Sequence, residues 1–129
     1  MIELAIKEAI KNPIKPKGRN SISRFASILT NGRQIFIGRN SYKSHPLQAK
    51  YGVCQEAISV HSAIDVLCKA IRWAAGIAGG HYKDVRDLSN FKLYVARVLK
   101  DGSPANSKPC EGCMDALRDF GITQMEWID

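Results

Sequence analysis

Two cysteines, Cys110 and Cys113, stand at the head of an apolar-periodic segment, Glu111–Phe120, directly after Pro109. A lone Cys-x-x-Cys is a weak signal. It becomes a constraint on the whole fold because a histidine 49 residues upstream, His61, lies near the start of a second strongly apolar segment. Thiols three residues apart reach one ion from the first turn of a helix. Zinc takes thiolate and imidazole ligands, and three protein ligands leave a fourth position for water. Helix N-termini also lower thiol pKa values, which favours the thiolate that binds metal. Pro109 suits its place, ending a loop where a helix begins. A chain that uses these residues as one zinc set must bring the N-termini of two helices to a single point.

Other readings of the same residue types stay open at this level. Cys110 and Cys113 also fit a thioredoxin-like redox pair, although that motif normally follows an early strand of a βαβ unit. A structural zinc site would require a fourth ligand. Cys54 and Cys68 are fourteen apart, form no second Cys-x-x-Cys and read as packed or free thiols. His45, beside Pro46 in a polar loop, is a candidate substrate contact as well as an ordinary loop histidine, and His81 after Gly79-Gly80 reads as exposed.

With 129 residues, 45% of them apolar, residues 1–129 form one domain with room for a core. No apolar run approaches the roughly 18 residues of a membrane span, and Met1-Ile2-Glu3-Leu4 lacks the order of a signal peptide. A cytoplasmic, reducing setting is expected, where four cysteines suggest metal or free thiols before disulfides. The net charge of +7 is uneven: residues 1–50 hold ten Lys/Arg against two acids, and residues 51–129 hold nine against ten. Such a basic segment is either a solvated surface or a site for phosphates.

Residues 2–11 place Ile2, Ala5, Ile6, Ala9 and Ile10 at helical spacing, and Pro13 and Pro16 end that helix. Phe25–Thr30 and Gln34–Arg39 read as strands joined by Asn31-Gly32, a strong hairpin signal. A loop is expected from Asn40 to about Gly52, then a helix from Glu56 to Ala75 ended by Gly76, Gly79 and Gly80. Phe91–Leu99 reads as a strand, Asp101–Lys108 as a loop, Glu111–Phe120 as a helix closed by Gly121, and Ile122–Ile128 as a last strand. Strand–helix–strand order predicts parallel pairing on the C-terminal side of a mixed sheet, with helices covering its faces.

Gly38-Arg39-Asn40 at the hairpin's end, His61-Ser62-Ala63 at a helix start, and Ser107-Lys108-Pro109-Cys110-Glu111-Gly112-Cys113 together resemble the cytidine deaminase superfamily over most of the chain. Small phage and bacterial members look most similar, and the protein would be cytoplasmic, in a host cytoplasm if phage-encoded. The resemblance implies a three-layer α/β/α fold around a mixed sheet of four to five strands. It makes His61, Cys110 and Cys113 the ligands of Zn2+, and Asn40 the residue that bonds the substrate sugar. Ser107 and Pro109 would wall the base pocket, with His45 near its mouth. The implied activity is hydrolytic deamination of cytosine in a nucleoside, a nucleotide or single-stranded nucleic acid. Adenine is a further option, because the ligand motif does not encode the base. A sheet edge beyond the last strand signal offers a surface for a second copy of the chain.

The chain departs from the family at one position. The family carries a glutamate two residues after the histidine, which moves protons from water to the ring and the departing amine. Here that position is Ala63. Asp65, one turn deeper, and Glu56, five residues before His61, are poor substitutes. Either a glutamate has been replaced by alanine in an otherwise intact site, the favoured reading, or the chain is a non-catalytic relative that binds nucleotides or single strands. Both predict an inactive form.

Overall fold

The computed structural model describes residues 1–15, 23–43, 46–51, 61–78 and 88–129. It is a mixed α/β fold in three layers, with a five-stranded sheet between helices. In chain order the elements are α1 (Ile2–Ile10), β1 (Arg24–Thr30), β2 (Ile35–Arg39), α2 (Pro46–Tyr51), α3 (Ser62–Ala78), β3 (Lys92–Val98), β4 (Pro104–Ala105), α4 (Glu111–Asp119) and β5 (Gln124–Trp127).

The sheet is antiparallel through β2, β1 and β3, and parallel between β3 and β5. That parallel step is the one predicted from the strand–helix–strand order around α4. The short β4 pairs antiparallel with Arg97 and Val98 of β3, whereas β5 lies along Lys92–Val95 of the same strand. Two side-chain rows therefore leave β3. Leu93 and Val95, with Leu29 of β1, join the core beneath α3 and α4; Ala96 and Val98, with Ala26 and Ile28, face α1. The alternation is the period-2 pattern of a strand buried on both faces. Ala5 and Ala9 are fully buried, and their small side chains let α1 lie close on its side of the sheet. Glu8, also buried on α1, ion-pairs with Arg39 at the end of β2.

The hairpin turn differs slightly from its expected form. Asn31 still pairs with Gln34 (N–H to carbonyl, 3.4 Å), so Gly32 and Arg33 are the two loop residues, with Gly32 at φ 94°. The Asn31 side chain accepts the Arg33 and Gln34 amides at 3.0 and 2.7 Å, the local bonding that makes Asn a turn residue.

Three other expectations are corrected. The segment from Asn40 to Gly52 contains α2, which begins at Pro46, a residue tolerated in a first helical turn. The loop Asp101–Lys108 contains β4. Gly76 does not end α3, which continues to Ala78. A Cβ at Gly76 would meet nothing within 4 Å, so the glycine sits on an open side of the helix. Its penalty of about 1 kcal/mol relative to alanine is small beside the burial of the rest of α3. The expected helix residues 56–60 and the terminating pair Gly79-Gly80 lie outside the described residues.

Candidate metal centre

His61 is the last residue before α3. Its carbonyl accepts the Asp65 amide at 3.0 Å, so it stands at the helix's N-cap position. Three contacts fix this helix start. Gly38 of β2 lies directly under it: a Cβ there would come within 2.5 Å of the Val66 nitrogen and 2.6 Å of the Ser62 carbonyl oxygen. Only a residue without a side chain permits this approach of helix backbone to strand. Ser27 of β1 and Ser62 of α3, both buried, are joined through their hydroxyls at 2.8 Å. From the other side, the His61 amide donates to Gln48 Oε1 of α2 at 3.0 Å, and Gln48 is only 2% exposed.

Cys110 caps α4. Its sulfur accepts the Cys113 amide at 3.4 Å, and its carbonyl accepts the Met114 amide at 2.9 Å. Pro109, buried, is the residue before this cap rather than the first helical residue. The far end of α4 closes as the sequence indicates. Gly121 adopts φ 86°, its amide bonds the Arg118 carbonyl, and the Ile122 amide bonds the Leu117 carbonyl, both at 2.9 Å, a Schellman motif.

The two helix starts converge. His61 Nδ1 lies 3.5 Å from the Cys110 sulfur and 3.4 Å from the Cys113 sulfur, and the sulfurs are 3.3 Å apart. Zinc–sulfur bonds of about 2.3 Å and zinc–nitrogen bonds of about 2.0–2.1 Å in a tetrahedron require donor separations of about 3.5–3.8 Å. The observed triangle matches this within a few tenths of an ångström, so the group can hold a metal ion and is compatible with zinc. The electrostatics agree. The Cys110 thiol is pushed down to about 4, chiefly by the Cys113 thiol bonded to it, with His61 and the Cys113 amide adding to the effect against the opposing cost of burial. Cys68 shows the contrast: buried within α3 away from this cluster, it is pushed up to about 11 by desolvation and is a packed thiol.

No carboxylate joins the cluster among the described residues. Ala63, in the first turn of α3, is 4% exposed and part of the core beneath the helices. Asp65 is committed elsewhere, accepting the Arg39 amide at 3.0 Å and pairing with Lys69 at 3.5 Å. Glu56, Cys54, His81 and His45, the expected pocket-mouth residue, lie outside the described residues.

The other expected site residues serve the frame. Asn40 Oδ1 accepts Asn12 Nδ2 at 2.7 Å and the Phe25 amide at 2.9 Å, and Asn40 Nδ2 donates to the Ser23 carbonyl at 2.9 Å. The Ser107 hydroxyl donates to the Val95 carbonyl and accepts the Ile128 amide, at 2.7 and 2.8 Å, tying the approach to α4 onto β3 and the end of β5. Gln48 is the positioning residue that sequence reasoning missed. A glutamine in a stretch read as loop carries no signal of its own; only the helix starting at Pro46 puts it under His61. A shallow groove of about 270 Å³, lined by Met114, Arg118, Ile122, Thr123, Met125 and Trp127, contains none of His61, Cys110 and Cys113.

No family model matches the chain, and comparison with curated proteins and with solved structures gave no match. No helix among the described residues is long and apolar enough to cross a membrane.

Proposed function

We propose that this chain is a zinc-dependent nucleobase deaminase, acting on cytosine, in a form kept catalytically silent by Ala63. The convergence of His61 Nδ1, Cys110 and Cys113 at two helix N-termini carries the reading. Among the described residues it is a three-ligand set, one short of the four that structural zinc takes, and the histidine, at 3.4 and 3.5 Å from the sulfurs, lies nearly as close to each as they lie to one another at 3.3 Å. A redox pair has no need of that third donor.

His61, Cys110 and Cys113 would hold the ion, and bound zinc supplies the Lewis-acid chemistry that makes water a nucleophile near neutral pH. The overall reaction adds water at the ring carbon that bears the amine and releases ammonia. Protons must therefore pass from water to a ring nitrogen and then to the leaving amine. Ala63 has no group to carry them. A glutamate at this buried position would be desolvated and its pKa raised, which suits a carboxyl that gains and loses protons at pH 7. Asn40, whose side chain is fixed by Asn12, Phe25 and Ser23, would make the sugar contact that the resemblance implies. Ser107 and buried Pro109 shape the loop that leads to Cys110.

Metal analysis of the purified protein, followed by a product assay of Ala63→Glu against deoxycytidine, dCMP, single-stranded DNA and RNA, tests the reading. We expect one zinc per chain in both forms and uracil plus ammonia only from the glutamate form. General acid–base assistance is worth about 10²–10⁴-fold, so the alanine form should fall below it by at least that factor. A glutamate form that holds zinc yet converts no cytosine substrate overturns the enzyme and leaves a binding protein. A protein without stoichiometric zinc overturns the metal centre.

A further inference from the structure

At one end of the sheet, on the face that carries α3 and α4, three side chains stand in a row. Phe25 of β1 is the register partner of Arg97 of β3, and Trp127 of β5 is the register partner of Val95, the preceding residue on the same side of β3. Phe25 and Trp127 both pack against the core beneath α3 and α4, which fixes the face. Lys108 joins the row from the loop before α4, two residues ahead of Cys110. Each cation lies over a ring: the Arg97 guanidinium 5.7 Å from the Phe25 centroid, and the Lys108 ammonium 5.9 Å from the Trp127 centroid.

The Arg97 charge is held in place but, among the described residues, neither cation of the ledge is neutralised. Arg97 Nε donates to the Ser23 hydroxyl at 2.9 Å, and one of its terminal nitrogens donates to the Asn106 carbonyl at 3.5 Å. Neither Arg97 nor Lys108 has an ion-pair partner among the described residues, whereas Arg39, Lys69, Lys92 and Arg118 are each matched with a carboxylate. The acid that touches the ledge, Asp129, accepts the Trp127 indole N–H at 3.0 Å, which orients the ring. Oriented aromatic rings interleaved with unpaired cations are what a flexible polyanion of stacked bases needs, with the cations tracking phosphates and the rings offering stacking faces. A nucleoside monophosphate presents one phosphate group, whereas a strand presents one at every residue to successive cations.

We propose that the ledge of Phe25, Arg97, Lys108 and Trp127 binds the sugar–phosphate backbone and a neighbouring base of a single-stranded polynucleotide. The base taken at the metal centre would then belong to a strand and not to a free nucleotide. The inference rests on the deaminase reading for what happens to that base, but not for the binding itself.

The test uses the full chain as it stands, whose Ala63 prevents turnover during titration. Fluorescent 12-residue oligodeoxycytidylate and oligocytidylate are titrated across salt concentrations, with dCMP as competitor. Binding should weaken with salt, and each neutralised phosphate contributes about −0.7 to the slope of log affinity against log salt for a single strand. The double variant Arg97→Gln/Lys108→Gln should therefore lose about 1.4 of that slope. A charge-matched control, Lys7→Gln/Arg33→Gln, removes exposed cations from α1 and from the hairpin turn at the opposite end of β1, and should bind as the parent does. DNA and RNA arms that differ name the strand type, and either one binding through the ledge supports the proposal. Equal loss in both double variants, or dCMP competing at the strand's own affinity, overturns it. The two readings fail separately: an Ala63→Glu form that deaminates single-stranded DNA or RNA equally well with and without the ledge cations sinks the strand site and leaves the deaminase standing. Strand binding through the ledge with no deamination of any substrate by the Ala63→Glu form does the reverse.

Discussion

Gln48→Leu isolates the contact that places the imidazole. Gln48 is buried at 2% exposure, and its Oε1 receives the His61 amide at 3.0 Å, on the residue whose Nδ1 meets the two cysteine sulfurs. Leucine keeps most of the volume and removes the acceptor. Taking away one partner of a buried hydrogen bond costs about 1–3 kcal/mol. At about 1.4 kcal/mol per tenfold, full transmission to metal binding would weaken zinc affinity by about 5–150-fold. Partners that orient a ligand are typically worth about 10–100-fold, within the same range. The assay is competition against a chromophoric zinc chelator at pH 7, with urea unfolding of the same samples. Gln48→Glu, which keeps an acceptor at the same reach, should recover most of the zinc affinity even where desolvation of its charge lowers stability. If Gln48→Leu loses stability while holding zinc within about twofold of the parent, the orienting role is wrong and Gln48 is only packing.

Three further expectations follow from β2, α3 and α2. Gly38→Ala drives a methyl group into the backbone of Val66 and Ser62, and should cost about 1–3 kcal/mol in urea unfolding together with weaker zinc retention. Gly76→Ala on the open side of α3 should instead stabilise by up to about 1 kcal/mol, and a loss there would refute the helical assignment beyond Ala75. Tyr51, whose hydroxyl donates to Asp119 Oδ2 at 2.5 Å, is pushed up to about 12, first by burial and then by that carboxylate. Because its folded value lies above the ordinary 10, its contribution is complete below pH 10 and is lost as pH rises through 12. Unfolding of Tyr51→Phe measured from pH 8 to 12 should show a shallower alkaline decline than the parent; identical slopes would refute the coupling of α2 to α4.

Much of the fold was legible because its signals are local. Apolar periodicity marks α1, α3 and α4, short apolar runs mark β1 and β3, and Asn31, Gly32 and Gly121 act through their own backbone preferences. The short elements were not legible. Pro104–Ala105 becomes a strand only because β3 extends past β5 and offers unpaired backbone at Arg97 and Val98. Pro46–Tyr51 is too brief to show a period, and its one buried polar residue matters through a partner thirteen positions away. Gly76 misled because a glycine that ends a helix and one on an exposed helical side look alike in one dimension.

For the candidate metal centre, the spacing of Cys110 and Cys113 and the head-of-helix position of His61 single out the three residues that the structure brings together, since those properties depend on neighbours within one turn. Ala63 is likewise a fact of the sequence, and it separates a site that can hold metal from one that can move protons. What only the tertiary structure decides is the approach of the two helix starts. It depends on Gly38 admitting α3 to the strand, on Ser27 meeting Ser62, and on Gln48 reaching across from α2. These contacts join residues 13 to 35 positions apart, and close packing selects them from the whole fold at once. The row from Phe25 to Trp127 belongs to the same class: four residues scattered over more than a hundred positions become one surface only when β1, β3 and β5 are laid side by side.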